Sequence, residues 1–234
     1  MKALILAAGF GSRLAPITDT KPKSLVEVNG VPILHKQIRN LYENGVTDIT
    51  IVSGYKADVL RKQTLDVFPD VKIIESVDYA TTNNMYSAYL GIKEMGLSEM
   101  LMMNADVFFD ASVIKALLEC KYENAIVVDV GSYNEESMKV IEKEGRLIEI
   151  SKAITKEDAL GNSIDVYKFS KNGCKAFLKE CCEYIEVKKD LKKWSEVALN
   201  DALKKVTFKA CPLVGRWFEI DNHEDLRKAE ELFK

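Results

Sequence analysis

Apolar and polar positions follow two interleaved rhythms along the first half of the chain. Lys2–Ala7 is a nearly unbroken apolar run, the pattern of a strand buried on both faces. Asp48–Ser53 and Val71–Ser76 are rich in β-branched residues, Met100–Asn104 and Ala125–Val130 are again apolar, and each predicts a strand. Between these runs the apolar positions fall at helical spacing. Pro32–Glu43 places Ile33, Ile38 and Leu41 on one face and meets a stop at Gly45. Ala57–Val67, Asn84–Met95 (ended by Gly96) and Ala111–Cys120 complete the alternation. Strands alternating with helices predict a mainly parallel sheet covered on both faces.

The rhythm changes after Gly131. Met138–Glu142 and Leu147–Ile150 alternate with period two around Glu144-Gly145, which predicts an antiparallel hairpin, and Asp165–Phe169 is a candidate to extend that sheet. Ser170–Ile185 and Trp194–Lys205 read as helices, Val206–Cys211 and Arg216–Ile220 as strands, and His223–Phe233 as a last helix. No repeat or Pro/Gly-rich linker divides the chain. The expected fold is one α/β domain over 1–234, a Rossmann-like three-layer α/β/α arrangement. Residues 131–214 are expected to form an inserted lid of antiparallel strands and helices.

Composition narrows the partners. With 234 residues, 47% of them apolar, the chain can bury a full core. A net charge of −3 offers no bulk attraction to nucleic acid or to an anionic membrane, so neither is expected as a partner. The five cysteines (120, 174, 181, 182 and 211) form no CxxC pair, and their odd number argues against a disulfide framework. Two histidines are too few for a histidine-built zinc site. Met1-Lys2 leads straight into a strand, no cleavable leader is apparent, and no apolar run reaches spanning length, so the expected compartment is the cytoplasm. No heptad or exposed apolar stripe speaks to oligomeric state.

The chemistry is concentrated at the start. Leu4–Ala8 breaks into Gly9-Phe10-Gly11-Ser12-Arg13-Leu14, and Lys21-Pro22-Lys23-Ser24-Leu25 follows. A glycine-rich turn lets backbone N–H groups approach phosphate oxygens, and fixed cations neutralise their charge, so the segment suits a polyphosphate. Two familiar phosphate loops are excluded by spacing. A dinucleotide fingerprint would need glycine where Leu14 stands, and a Walker loop needs four residues between its glycines followed by Lys-Ser/Thr.

Three further constellations complement it. Asp106 follows the strand-like run Met100–Met103, at the end that faces the ligand crevice in open α/β sheets, while Asp110 is the better candidate to cap the next helix. Glu219 and Asp221 are two apart on a predicted strand and so share a face. If the fold joins them to Asp106, the three carboxylates suit Mg²⁺, which takes one or two carboxylates and completes its shell with water and phosphate oxygens. Thr81-Thr82-Asn83-Asn84-Met85-Tyr86-Ser87 offers amide and hydroxyl groups at a helix start, suited either to capping or to reading a nucleobase edge.

These motifs resemble the nucleoside-triphosphate-transferase superfamily of nucleotidyltransferases, most closely its bacterial phosphocholine cytidylyltransferase-like branch. The pattern L-A-A-G-x-G-S-R-L with K-P-K-x-L is met at Leu6–Leu14 and Lys21–Leu25, the lone aspartate at Asp106, N-N-x-Y-S at Asn83–Ser87, and E-I-D at Glu219–Asp221. The resemblance implies a site for CTP and a small phosphorylated acceptor. It implies that the Ala8–Ser12 backbone (with Gly9 and Gly11) cradles the triphosphate between Leu6 and Ala105, while Arg13 and Lys23 neutralise it. It implies that Asn83, Asn84, Ser87 and the Gly54-Tyr55 loop contact base or ribose, and that Asp106 and Asp221 hold Mg²⁺ with Glu219 as a third ligand or a close partner. It implies that Lys152, just past the hairpin, holds the acceptor's phosphate. Choline recognition would call for an aromatic cage. Trp194, with Trp217 beyond it, is the most prominent wall, but the span lacks dense aromatic clustering. Two alternatives stay open: a sugar-1-phosphate nucleotidyltransferase using UTP or dTTP, and a catalytically silent nucleotide-binding module.

Overall fold

The structure, a computed structural model, describes residues 1–234. In chain order the strands are β1 (Lys2–Ala7), β2 (Glu27–Val28), β3 (Val31–Pro32), β4 (Asp48–Ser53), β5 (Lys72–Glu75), β6 (Met100–Asn104), β7 (Val107–Phe109), β8 (Ala125–Val130), β9 (Lys139–Lys143), β10 (Arg146–Ser151), β11 (Gly161–Phe169), β12 (Lys209–Pro212) and β13 (Trp217–Glu219). The helices are α1 (Ile33–Glu43), α2 (Ala57–Leu65), α3 (Asn84–Met95), α4 (Ala111–Glu119), α5 (Lys171–Cys182), α6 (Ser195–Leu203) and α7 (His223–Leu232).

β1 is the axis of the main sheet. It pairs in parallel with β4 on one side and β6 on the other, so that Leu6 lies beside both Val52 and Asn104. β5 extends the parallel part beyond β4. The apolar runs read as strands because both faces are covered, and each face takes alternate residues. Ala3, Ile5, Leu101 and Met103 pack with α1, α2 and α4 through Leu34, Ile38, Leu60 and Val113. Leu4, Leu6, Met100 and Met102 pack on the opposite side with α3, α5 and α6 through Met85, Ile92, Phe177 and Leu199. The chain leaves β1 toward β4 and later returns to β6 on the other side. The carboxyl ends of β1 and β6 therefore flank a topological switch point, the place where open α/β sheets bind ligands.

Residues 131–214 are woven into this sheet. The expected hairpin is present as β9 and β10, and its turn residues Glu144 and Gly145 both take positive φ, 52° and 66°. β11 is longer than the predicted Asp165–Phe169. Gly161-Asn162 pair with β9, the strand's second half pairs antiparallel with β6, and β8 lies along it. β12 then joins β8 in parallel. β11, hydrogen-bonded to β6, ties the expected insertion 131–214 directly to the main sheet.

Other differences are local. Ala57–Val67 ends as helix at Leu65, and the helix predicted over Ser170–Ile185 passes after Cys182 into a π-helical turn, Glu183–Val187. The strand expected from Val206 begins at Lys209. Two short pairings were not predicted, the β2–β3 hairpin and the β7–β13 ribbon. No helix is long and apolar enough to cross a membrane.

Candidate active site

The β7–β13 ribbon decides the site. β7 begins directly after Asp106, Glu219 pairs with Val107, and the Ile220 amide donates to the Asp106 carbonyl at 2.9 Å. This register carries Glu219 and Asp221 to Asp106 across more than a hundred residues of sequence. Carboxylate oxygens of the three lie within 4.8 Å of one another. Asp221 is free for this role because Asn222 caps α7, its side chain accepting from the amides of Glu224 and Asp225. Asp110 stands at the N-cap position of α4, as expected, but its side chain caps no amide. Both its oxygens go to the guanidinium of Arg216, at 3.0 and 3.1 Å.

Lys23 is positioned by a single 3₁₀ turn, Lys23–Leu25, anchored by buried Ser24 and Leu25. Its ammonium donates to Asp106 Oδ2 at 2.9 Å and to Asp221 Oδ1 at 2.6 Å. Arg13 reaches Asp221 Oδ2 at 2.8 Å. Gly11 makes this approach possible. Its φ of +67° is left-handed, and a Cβ there would lie 2.6 Å from Lys23 Cβ. Burial works against the charge of Lys23, but the two aspartates outweigh it and hold the lysine above its ordinary range. Burial likewise works against ionised Asp221, and Lys23 with Arg13 reverse that effect, keeping its carboxyl below the usual range. Glu219 has no such partner. Burial, then the charges of Asp106 and Asp221, push it up to about 7.

The carboxylate set fits a divalent cation. All donors are hard oxygens, and Asp106 Oδ1 is buried with no hydrogen-bond partner, an orphaned acceptor that a cation would satisfy.

These groups open onto a cleft of about 380 Å³ at the switch point. Of the residues expected at the site, Leu6, Ala8, Gly9, Arg13, Lys23, Asn83, Asn84, Ser87, Ala105, Asp106, Lys152, Glu219 and Asp221 line it. Gly11, Ser12, Gly54 and Tyr55 do not. Gly11 packs against Lys23, and Tyr55 lies behind the loop, its amide donating to the Ala8 carbonyl and its hydroxyl to the Thr18 carbonyl. Lys21 pairs with exposed Glu27. Trp217 is not part of the wall expected around Trp194, because its indole N–H donates to Asp129 at 3.0 Å. Asn83 caps α3, and Asn84 accepts from the Ser195 amide at 2.8 Å. Lys152 stands with its ammonium 5.1 Å from the Trp194 ring centre.

Two acidic cleft residues were not expected at the site, Asp165 and Glu196. Asp165 interrupts an apolar strand between buried Ile164 and Val166, which is a readable signal. Glu196 opens a helix, where an acid is ordinary, and so carried none.

A cleft at the switch point, with cations facing clustered carboxylates, suits a nucleotide-dependent transferase. The match to the MobA-like NTP transferase domain over residues 3–163 places the chain in that family, and it is a nucleotidyltransferase. Among curated proteins it is similar to the choline-phosphate cytidylyltransferase of Streptococcus pneumoniae, 30% identical over 260 residues, covering 100% of this chain and 99% of the relative. It is also similar to the CTP:phosphoglutamine cytidylyltransferase of Campylobacter jejuni, 28% identical, covering 97% and 98%. Among solved structures, the CTP:phosphocholine cytidylyltransferase of Streptococcus pneumoniae superposes with a TM-score of 0.79 at 26% identity, covering 100% of this chain and 99% of that one.

Proposed function

We propose that the protein is a cytidylyltransferase that joins CTP to a small phosphomonoester or phosphonate, giving a CDP-linked product and pyrophosphate. The observation that carries this reading is the convergence of Lys23 and Arg13 with Asp106, Glu219 and Asp221 at the switch point, in a chain similar over its full length to cytidylyltransferases.

An acceptor oxygen attacks the α-phosphorus in line. The new O–P bond forms as the bond from the α-phosphorus to the bridging oxygen of the β-phosphate breaks, and pyrophosphate leaves with that electron pair. The attacking group already carries about −1.5 to −2 charge near neutral pH, so no general base is required. What the protein supplies is alignment and relief of anion–anion repulsion. The loop Ala8–Arg13 faces the triphosphate. Lys23 and Arg13 exchange their carboxylate partners for phosphate oxygens, and Lys152 meets the acceptor's phosphate. Asp106 and Asp221, with Glu219, would hold Mg²⁺, whose charge polarises the phosphoryl oxygens. Asn83, Asn84 and Ser87 border the nucleoside, where Asn83 and Asn84 also hold the neighbouring chain in place. The five free thiols support a reducing compartment, and we assign the enzyme to the cytoplasm.

The test is pyrophosphate release over four nucleoside triphosphates crossed with phosphomonoesters, phosphonates and sugar 1-phosphates. Turnover with CTP and a non-sugar acceptor is expected. Faster turnover with UTP or dTTP and a sugar 1-phosphate would replace this reading, and no turnover at all would overturn it.

A further inference from the structure

The cleft holds two carboxylates that this chemistry leaves unused. Asp165 and Glu196 meet at the Tyr167 hydroxyl, which lies 2.9 Å from Asp165 Oδ1 and 3.0 Å from Glu196 Oε1. One hydroxyl hydrogen can serve only one of them. Glu196 is 2% exposed, yet neither acid has a lysine or arginine partner. Oε1 of Glu196 also accepts from Ser195 Oγ at 3.0 Å, and its other oxygen makes no hydrogen bond while the residue lines the cleft. A buried carboxylate without a counter-charge is costly, and two side by side are more so.

The backbone is distorted to hold this pair. Asp165 sits in mid-strand with φ at +58°, where β11 shifts register between Ser163 and Tyr167. One asparagine braces both acids. Asn84 Oδ1 accepts from the Ser195 amide beside Glu196, and Asn84 Nδ2 reaches Asn104, whose own amide donates to Asp165 Oδ2 at 2.9 Å. Burial, then Glu196, Glu219 and Asp106, push Asp165 well above the usual carboxylate range, as expected of an anionic pocket short of positive charge.

The neighbouring wall is Trp194, 46% exposed, already paired with the Lys152 ammonium. Trp194 is the only aromatic at this part of the cleft. Phe10 and Tyr79 belong to a separate cluster with Tyr55 over the opening loop. A quaternary ammonium wants several aromatic faces and offers no N–H, whereas free carboxylate lone pairs want N–H donors.

We propose that the acceptor carries a protonated amine bearing N–H groups, held by Asp165 and Glu196 while Lys152 engages its phosphate or phosphonate. This rests on the cytidylyltransferase reading above and names the acceptor class of that same cleft.

The test compares acceptors that differ at the far end, with one phosphonate beside the phosphate esters. These are 2-aminoethyl phosphate, 2-aminoethylphosphonate, the trimethylammonium ester phosphocholine, and neutral 2-hydroxyethyl phosphate, each with CTP. An aminoethyl acceptor is expected to exceed the hydroxyethyl ester by at least about 100-fold in kcat/KM, because a hydroxyl brings one donor and no counter-charge to the buried carboxylates. It is expected to exceed phosphocholine as well. Glu196→Gln and Asp165→Asn should each cut the aminoethyl-to-hydroxyethyl ratio at least about tenfold, with circular dichroism reporting that each variant is folded. Equal use of the neutral ester, or preference for phosphocholine, overturns the amine assignment and leaves the cytidylyltransferase reading standing. Absence of turnover with every acceptor overturns both.

Discussion

Lys23 Nζ lies 2.6 Å from Asp221 Oδ1 and 2.9 Å from Asp106 Oδ2, so a protein ammonium pairs with the two aspartates that would hold a divalent cation. On the proposed reading a metal and Lys23 would compete for the charge of these two carboxylates, and a bound triphosphate would offer Lys23 another anion. Replacing Lys23 by Met removes the competitor along with the phosphate contact. Mn²⁺ affinity of the nucleotide-free Lys23→Met protein, followed by electron paramagnetic resonance, should rise above wild type. Its kcat should fall by about 10²–10³-fold, the scale of losing one preorganised charge partner. Weaker Mn²⁺ binding in the variant would show that Lys23 supports the metal site instead of occupying it.

Asp106 is attached to the fold by its backbone, through the Ile220 amide, and its side chain takes no part in the β7–β13 ladder. Asp106→Asn should therefore keep the fold and lose the chemistry. A drop of at least about 10²-fold in CTP turnover is expected, since a metal's polarising charge is worth several kcal/mol. Asp221→Asn should lose as much and in addition loosen Arg13 and Lys23. Near wild-type turnover by either variant at ordinary magnesium would remove that residue from the metal site.

The raised groups around the carboxylates set a pH dependence with a definite sign. Glu219, at about 7 in the folded protein against 4.5 for an unhindered glutamate, binds its proton more tightly when folded. Its contribution to stability is complete below about 4.5 and is lost as pH rises through 7. Asp165, also raised, acts in the same direction. Asp221, lowered, is affected only toward acid, and Lys23, raised, is constant across this range. His35 is lowered by burial and opposes Glu219, losing stability as pH falls through its range. Metal-free protein in chelator should thus lose several degrees of Tm between pH 5 and 7.5 relative to Glu219→Gln, which isolates the glutamate from His35. A wild-type profile parallel to the variant's would show that Glu219 is not raised.

Much of this was readable in the sequence, for identifiable reasons. β6 and β8 fall where predicted because strands buried on both faces leave apolar runs, β4 because of its β-branched residues, and α3 because Asn83 and Gly96 bound the helix. Asp106, Glu219 and Asp221 stood out as acids at the ends of apolar strands. The register of β7 against β13 was not legible, since three-residue strands carry too little periodicity to specify a partner. The path of β11 through the sheet was hidden for a related reason: Gly161–Ser163 are buried yet small or polar, so no apolar run announces them. Asp110 was expected as a cap because only local partners are visible in sequence, and Arg216 arrives from far along the chain.

Gly11 links the loop to the lysine and gives the sharpest steric prediction. At φ +67° an L-residue is strained by about 1–2 kcal/mol, and a methyl group would lie 2.6 Å from Lys23 Cβ. The clash is with the stem of Lys23, close to its backbone, so a flexible tip cannot relieve it. Gly11→Ala should displace the Lys23 ammonium from Asp106 and Asp221, raising KM for CTP and lowering kcat together. Gly9→Ala serves as the comparison, because nothing lies within 4 Å of a Cβ at Gly9 and its φ is not left-handed. Steady-state kinetics of the two variants should differ by at least about tenfold in kcat/KM for CTP, with Gly11→Ala the poorer. Equal kinetics would mean that the loop, and not Gly11, sets the position of Lys23.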